Sequence, residues 1–141
     1  MLTSSEVLLA ADRLVAAFAA TDTDAYFGCF APEATFVFYP EPARLGDRAE
    51  YEQLWASWLE GGWRVETCTS SDRLVQVYGD TAIFTHTVDT VVSVEGEHTA
   101  TRERETIVFV QDGDRLLAVH EHLSSAPDSA DADGSGGDAD A

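Results

Sequence analysis

The sequence predicts an α+β domain in which N-terminal helices cover one face of a bent antiparallel sheet. Three observations lead there. Two segments before residue 61 place apolar residues at three- and four-residue spacing, the period of an amphipathic helix. From Trp63 onward the pattern changes to β-branched and aromatic residues in near-alternation. Each change of pattern falls on turn or breaker residues: Pro40 and Pro42, Gly61-Gly62, Gly79-Asp80, Glu95-Gly96 and Asp112-Gly113.

The first helix is predicted from an N-cap at about Ser4 or Ser5 to Ala20, with Val7, Leu8, Ala11, Leu14, Val15 and Phe18 forming one apolar stripe. Residues 23–30 read as a second, short helix capped by Thr21 or Thr23 and ended by Pro32. Residues 34–39 form a strand closed by the two following prolines. A third helix spans 48–60, with Asp47 as cap and Gly61-Gly62 as stop. Strands follow at 63–70 and 73–78, then a hairpin of 81–94 turning at Glu95-Gly96, and another turning at Asp112-Gly113. Residues 1–127 therefore make one domain, large enough at 45% hydrophobic content to bury a core. Residues 128–141 hold too few apolar side chains to fold and are expected to be a disordered acidic tail.

The chain of 141 residues carries a net charge of −18 from 26 acids and 8 bases, and all the bases are arginine. Five of the acids lie in the tail, so residues 1–127 keep −13 of the −18. Such self-repulsion is relieved by salt, which points to a halophilic protein of a salty cytoplasm; a GC-rich genome would also favour these residue types. Nucleic acid and anionic membrane are excluded as partners, because both need basic patches. The apolar N-terminus is interrupted by Glu6, Asp12 and Arg13 and lacks a positive leader, so it reads as neither signal peptide nor membrane span. Cys29 and Cys68 lack metal-ligand spacing and read as buried residues or free thiols of a reducing compartment.

The richest stretch for chemistry is 101–125, where acids, arginines and histidines alternate along two predicted strands. A two-residue turn at Glu95-Gly96 sets His86 opposite Glu105. A two-residue turn at Asp112-Gly113 sets Glu105 opposite His120 and Glu103 opposite His122. One row across three strands then reads His86, Glu105, His120, sharing its face with Phe84, Ile107 and Leu116. Asp89, Arg102, Arg104 and Glu121 point the other way, pairing as Arg102 with Asp89 and Arg104 with Glu121.

The segments GDTAIFTHTVDT (79–90), ETIVF (105–109) and VHEHLSSAP (119–127) resemble the SnoaL-like members of the nuclear transport factor 2 superfamily. The last of them is most similar to the closing strand of the calcium/calmodulin-dependent kinase II association domain. The resemblance covers roughly residues 4–127 and implies a cystatin-like α+β cone. Its members include isomerases, hydratases, cyclases and non-catalytic hubs, so the fold leaves the function open. The kinase domain's cavity arginines correspond to Thr87, Ile107 and Leu123, so its carboxylate-binding chemistry does not carry over. Convex-face dimerisation is implied by the same resemblance.

A carboxylate between two imidazoles suits general acid/base chemistry on a small organic molecule, with apolar walls adjusting its pKa. Glu105, His120 and His86 are accordingly the candidate catalytic residues, and His122, Trp55 and Tyr26 the candidate ligand contacts. A hydrogen-bonded ladder that only pins the strand register is the alternative. His120 and His122, about 7 Å apart along a strand, lack a third ligand fixed by spacing, so no metal or cofactor is assigned. The expected function is binding of a small hydrophobic or carbonyl compound by a homodimer, with cofactor-free isomerase, cyclase or dehydratase activity. The alternative is a non-catalytic association or ligand-sensing module.

Overall fold

The computed structural model describes residues 1–127; the expected tail at 128–141 lies outside the described residues. Three helices and five strands follow one another as α1 (Ser4–Ala19), α2 (Thr23–Phe27), β1 (Phe30–Phe38), α3 (Arg48–Glu60), β2 (Trp63–Tyr78), β3 (Thr81–Val94), β4 (Glu97–Asp112) and β5 (Arg115–Ser125). The strands form one bent sheet in the order β1-β5-β4-β3-β2. β2 to β5 make an antiparallel meander, and β1 joins its far edge parallel to β5. This is the α+β cone expected from the sequence.

Local rules decide the helix ends. α1 is capped by Thr3, not Ser4 or Ser5, because only Thr3 has a glutamate at the third helical position: Glu6 closes a reciprocal capping box. Asp22 caps α2 by accepting from the Ala25 amide. Thr21, in a left-handed conformation, spends its hydroxyl on the β2 backbone at Val65 instead. α2 ends at Gly28, so Pro32 stops no helix; it lies exposed in β1, where the pairing with β5 slips and no amide is needed. α3 runs as expected from its Asp47 cap to Gly61.

The helices and the inner sheet face enclose an aromatic core. Tyr26 stacks on Trp55 at 4.9 Å, Phe27, Phe30 and Tyr51 pack edge-on against Tyr26, and Phe36 packs edge-on against Phe30 and Tyr51. Truncating one such buried ring costs about 3–5 kcal/mol. Trp55 is therefore a core residue: its indole N–H donates to Thr23 Oγ1 at 2.9 Å, tying α3 to α2. Arg73 on β2 reaches Asp12 on α1 at 2.8 Å, a half-exposed link between layers. Both cysteines are free. No helix among the described residues is long and apolar enough to cross a membrane.

Two of the three hairpins have the expected turns. Glu95 and Gly96 both take positive φ, as the I′ turn of a two-residue loop requires, and β3–β4 pairs His86 with Glu105. The β4–β5 register differs. Asp112 pairs with Arg115, so the loop is Gly113-Asp114, with the glycine at positive φ in its first position as a II′ turn demands. Asp-Gly-Asp offers either turn, and the choice slides β5 by two residues while keeping its faces.

A bulge then turns the strand over. Phe109 pairs with Ala118 but Val108 with His120, leaving Val119 as the extra residue on β5. Beyond it Ile107 faces Glu121 and Glu105 faces Leu123. The inward set on β5 therefore changes from Leu116 and Ala118 to Glu121 and Leu123.

Candidate functional site

Between the inner face of β3, β4 and β5 and the helical layer lies a cavity of about 350 Å³, within the range of small-molecule sites. Phe18, Phe38, Trp58 and Trp63 line its walls, and Tyr39, Glu41 and Glu103 belong to its lining near the loop after β1. The polar groups are few and convergent: His86 from β3, Glu105 from β4, Glu121 from β5, and the hydroxyl-bearing rings Tyr26 and Tyr51 from α2 and α3.

His86 is held at both ring nitrogens. Nδ1 lies 2.6 Å from Ser70 Oγ on β2, and Nε2 lies 2.7 Å from Glu105 Oε1. An ionised carboxylate only accepts, so Nε2–H donates to it. Burial pushes Glu105 upward, but hydrogen bonds from Glu121 and His86, together with attraction to the His86 ring, outweigh it and hold the carboxyl below its ordinary value. Glu121 goes the opposite way. Burial, then the charge of Glu105 and the hydrogen bond to it, raise Glu121 well above a normal carboxyl. The two shifts run in opposite directions, so Glu105 is the more acidic of the pair and Glu121 the one that keeps its proton to higher pH and donates it to Glu105. The Glu121 carboxyl is buried, and Glu105 is the hydrogen-bond partner found for it among the described residues.

The rest of the lining is tuned by burial. Tyr26 and Tyr51 share a 2.9 Å hydroxyl contact, and burial, then the Glu121 charge, keep both phenols far from ionising. Tyr39 donates to Glu103 at 2.8 Å, and its own pKa is pushed up to about 12 by burial and that carboxyl. Burial likewise raises Cys68 to about 11, so it is no ready nucleophile.

The expected row of three is only partly formed. His86 and Glu105 meet in the cavity, and Tyr26 lines it. His120 does not join them: past the Val119 bulge it points to the outer face, where Thr35 Oγ1 lies 2.8 Å from its Nδ1. Burial and neighbouring His122 lower its pKa there. His122 is exposed on that same outer face, beside Arg104, Thr106 and Ser124 in a shallow groove. Trp55 is not among the cavity-lining residues. Arg102 and Asp89 form their expected outer pair at 2.8 and 3.1 Å, whereas Arg104 stands opposite Ser124 and not Glu121.

Sequence reasoning placed Glu121 on the wrong face and did not assign Tyr51 or Ser70. The run Leu116-Leu117-Ala118-Val119 is apolar at every position, so its alternation cannot report the phase of the strand. For Tyr51, its position on the buried face of α3 also aims its hydroxyl at Tyr26.

The SnoaL-like domain family matches residues 7–129 of this sequence. The chain belongs to that family. No curated protein matches it. Solved structures similar to this SnoaL-like chain include a nuclear transport factor 2-like superfamily protein from Salmonella enterica serovar Typhimurium, 16% identical with a TM-score of 0.76 over 89% of this chain and 92% of that one. A provisionally named dehydratase of the same superfamily from Streptomyces avermitilis is 21% identical with a TM-score of 0.72, covering 88% and 97% of the two chains. The calcium/calmodulin-dependent kinase II hub of S. rosetta is 27% identical with a TM-score of 0.71, covering 89% and 98%.

Proposed function

We propose that this SnoaL-like protein binds a small hydrophobic molecule in the cavity and moves a proton on it without a cofactor, as an isomerase or dehydratase does. The observation that carries this is the split carboxyl pair: an ionised Glu105 beside a protonated Glu121, both buried against an apolar, aromatic wall. Two titratable groups pushed apart by their surroundings supply a base and an acid in one site.

In this reading Glu105 takes a proton from an acidic C–H of the ligand, the electron pair of that bond stays on the ligand as an enolate, and His86, fixed by Ser70, positions the carboxylate. Glu121 gives its proton to the enolate, and the proton on Glu105 passes to Glu121 through their hydrogen bond, which restores both carboxyls. Exclusion of water by Phe18, Trp58 and Trp63 keeps the exchange within the site. His120 and His122 have no part in this step, since both lie on the outer face.

Solvent deuterium exchange into the α-carbon of 2-tetralone, followed by proton NMR, tests the proposal. The protein accelerates exchange, and Glu105→Gln, which keeps the side-chain shape, loses roughly 10²–10⁴-fold of that acceleration. Exchange that is not accelerated, or that survives Glu105→Gln, overturns it.

The proposal includes a second copy of the chain on the outer sheet face, in a cytosol of high salt. Support comes from the Arg102–Asp89 pair on that face and from the likeness to a kinase hub. Light scattering in high salt finds a dimer, and Arg102→Glu weakens it by setting two acids opposite each other. A monomer at micromolar concentration refutes this part.

A further inference from the structure

We infer that the outer sheet face holds a second binding site, separate from the cavity, for a phosphoryl group, free or as a small organic ester, in the groove around Arg104 and His122. Strand pairing builds this site. β4 sets Arg104 between Thr87 of β3 and Ser124 of β5, and two residues further on it sets Thr106 between Thr85 and His122. Alternation turns all six side chains to the outer face, where they line a shallow groove of about 410 Å³. With strands about 4.8 Å apart and alternate residues about 7 Å apart, the six share a patch of roughly 10 Å by 7 Å.

The Val119 bulge leaves these donors free. By turning Glu121 inward it takes a carboxylate off the outer face of β5 and puts His122 and Ser124 there. Among the described residues no acid comes within ion-pair distance of Arg104, and neither its side chain nor that of His122 makes a hydrogen bond, although both are exposed. The acid that does line the groove is Asp72, at the bulge of β2. It stands two strands from Arg104 and three from His122, about 10 and 15 Å across the sheet, so it bounds the groove and leaves its centre basic. His120 adds a second imidazole beside His122, ring centres 6.3 Å apart. In a chain of 26 acids and 8 bases, such a centre runs against the overall charge.

The donor set selects the anion. A guanidinium presents parallel N–H groups that grip two oxygens of one oxyanion. The imidazole N–H of His122 and the hydroxyls of Thr87, Thr106 and Ser124 remain for further oxygens. A carboxylate has only two to offer, whereas a phosphoryl group has three or more and a larger charge, so it uses more of the patch. The site is independent of the proton transfer proposed above, since His86 and Glu105 engage each other on the opposite face of the sheet.

Inorganic phosphate, glycerol 3-phosphate and acetate, each titrated into the full chain at constant ionic strength set with KCl, test the inference through the NMR signals of the Arg104 Nε–H and the His122 ring. Both phosphates shift these signals saturably, and acetate binds at least about tenfold more weakly. The tighter of the two phosphates tells whether a free or an esterified group is preferred. Arg104→Gln weakens phosphate binding about tenfold or more, whereas Arg64→Gln, which removes the same charge from β2 outside the groove, changes it less than twofold. Titration below and above the concentration at which light scattering shows association reads the groove with and without a second copy on this face. Shifts that do not saturate, acetate binding as well as phosphate, or equal losses in the two arginine variants overturn the inference and leave the cavity reading untouched.

Discussion

Replacing His86 by alanine should expose how the site's electrostatics support the fold. The His86 side chain is fully buried and that of Glu105 is 10% exposed, and they meet at 2.7 Å. Removing His86 takes one of two hydrogen bonds from a buried carboxylate, which costs about 1.5–3 kcal/mol. For a domain of this size that is a fall in melting temperature of roughly 5–15 °C.

The loss must depend on pH, and the sign follows from the two states of Glu105. With His86 present the folded carboxyl titrates below its ordinary value, so its contribution is present above that ordinary value and lost as pH falls through the folded one. Without His86 two of the influences that hold the carboxyl down are lost, so its folded value moves upward and the stability present above the ordinary value shrinks. His86→Ala is therefore closest to the unaltered protein near pH 5 and furthest from it near pH 8. In a Glu105→Gln background the pH dependence of the His86→Ala loss disappears, because an amide does not ionise. Denaturant unfolding of all four proteins at both pH values measures this. An equal loss at pH 5 and pH 8, or strict additivity of the two substitutions, would refute the pairing as the source of stability.

Glu121→Gln should flatten the stability profile of the protein. The raised carboxyl makes stability greatest below the ordinary carboxylate value and decreasing as pH rises toward the folded one, so the amide variant gains on the unaltered protein between pH 5 and pH 8; parallel profiles in urea unfolding would sink this. Salt should act in the same direction from pH 5 to pH 8, where the carboxyls are ionised, since 26 acids face 8 bases in the chain. Melting temperature rises with KCl up to molar concentration, and a flat curve would dismiss self-repulsion as a factor.

Much of the scaffold was legible because it is written in local rules. The stripe of Val7, Ala11 and Leu14 announces α1, and Asp47 with Gly61-Gly62 brackets α3, since caps and periodicity act within a turn or two of chain. The same locality made the β3–β4 register readable: Glu95-Gly96 admits one tight turn, and its two positive φ angles bring His86 to Glu105. Where two local solutions compete the reading failed. Asp112-Gly113-Asp114 can close a hairpin in either of two frames, and the apolar run before His120 offers no alternation to choose between them.

By itself, then, the sequence determined the α+β cone, its helices, the acidic character of the protein and the meeting of His86 with Glu105. Tertiary structure alone decided that Glu121 and not His120 lies beside Glu105 in the cavity. The cause is one residue: Val119 bulges from β5 between two register frames, and strand side chains alternate with period 2, so a single extra residue exchanges the inner and outer faces of everything beyond it. That exchange buries a carboxyl beside Glu105 and leaves the histidines on the outer face. Bulges answer to the curvature of the whole sheet around its helices, a property that no window of neighbouring residues contains.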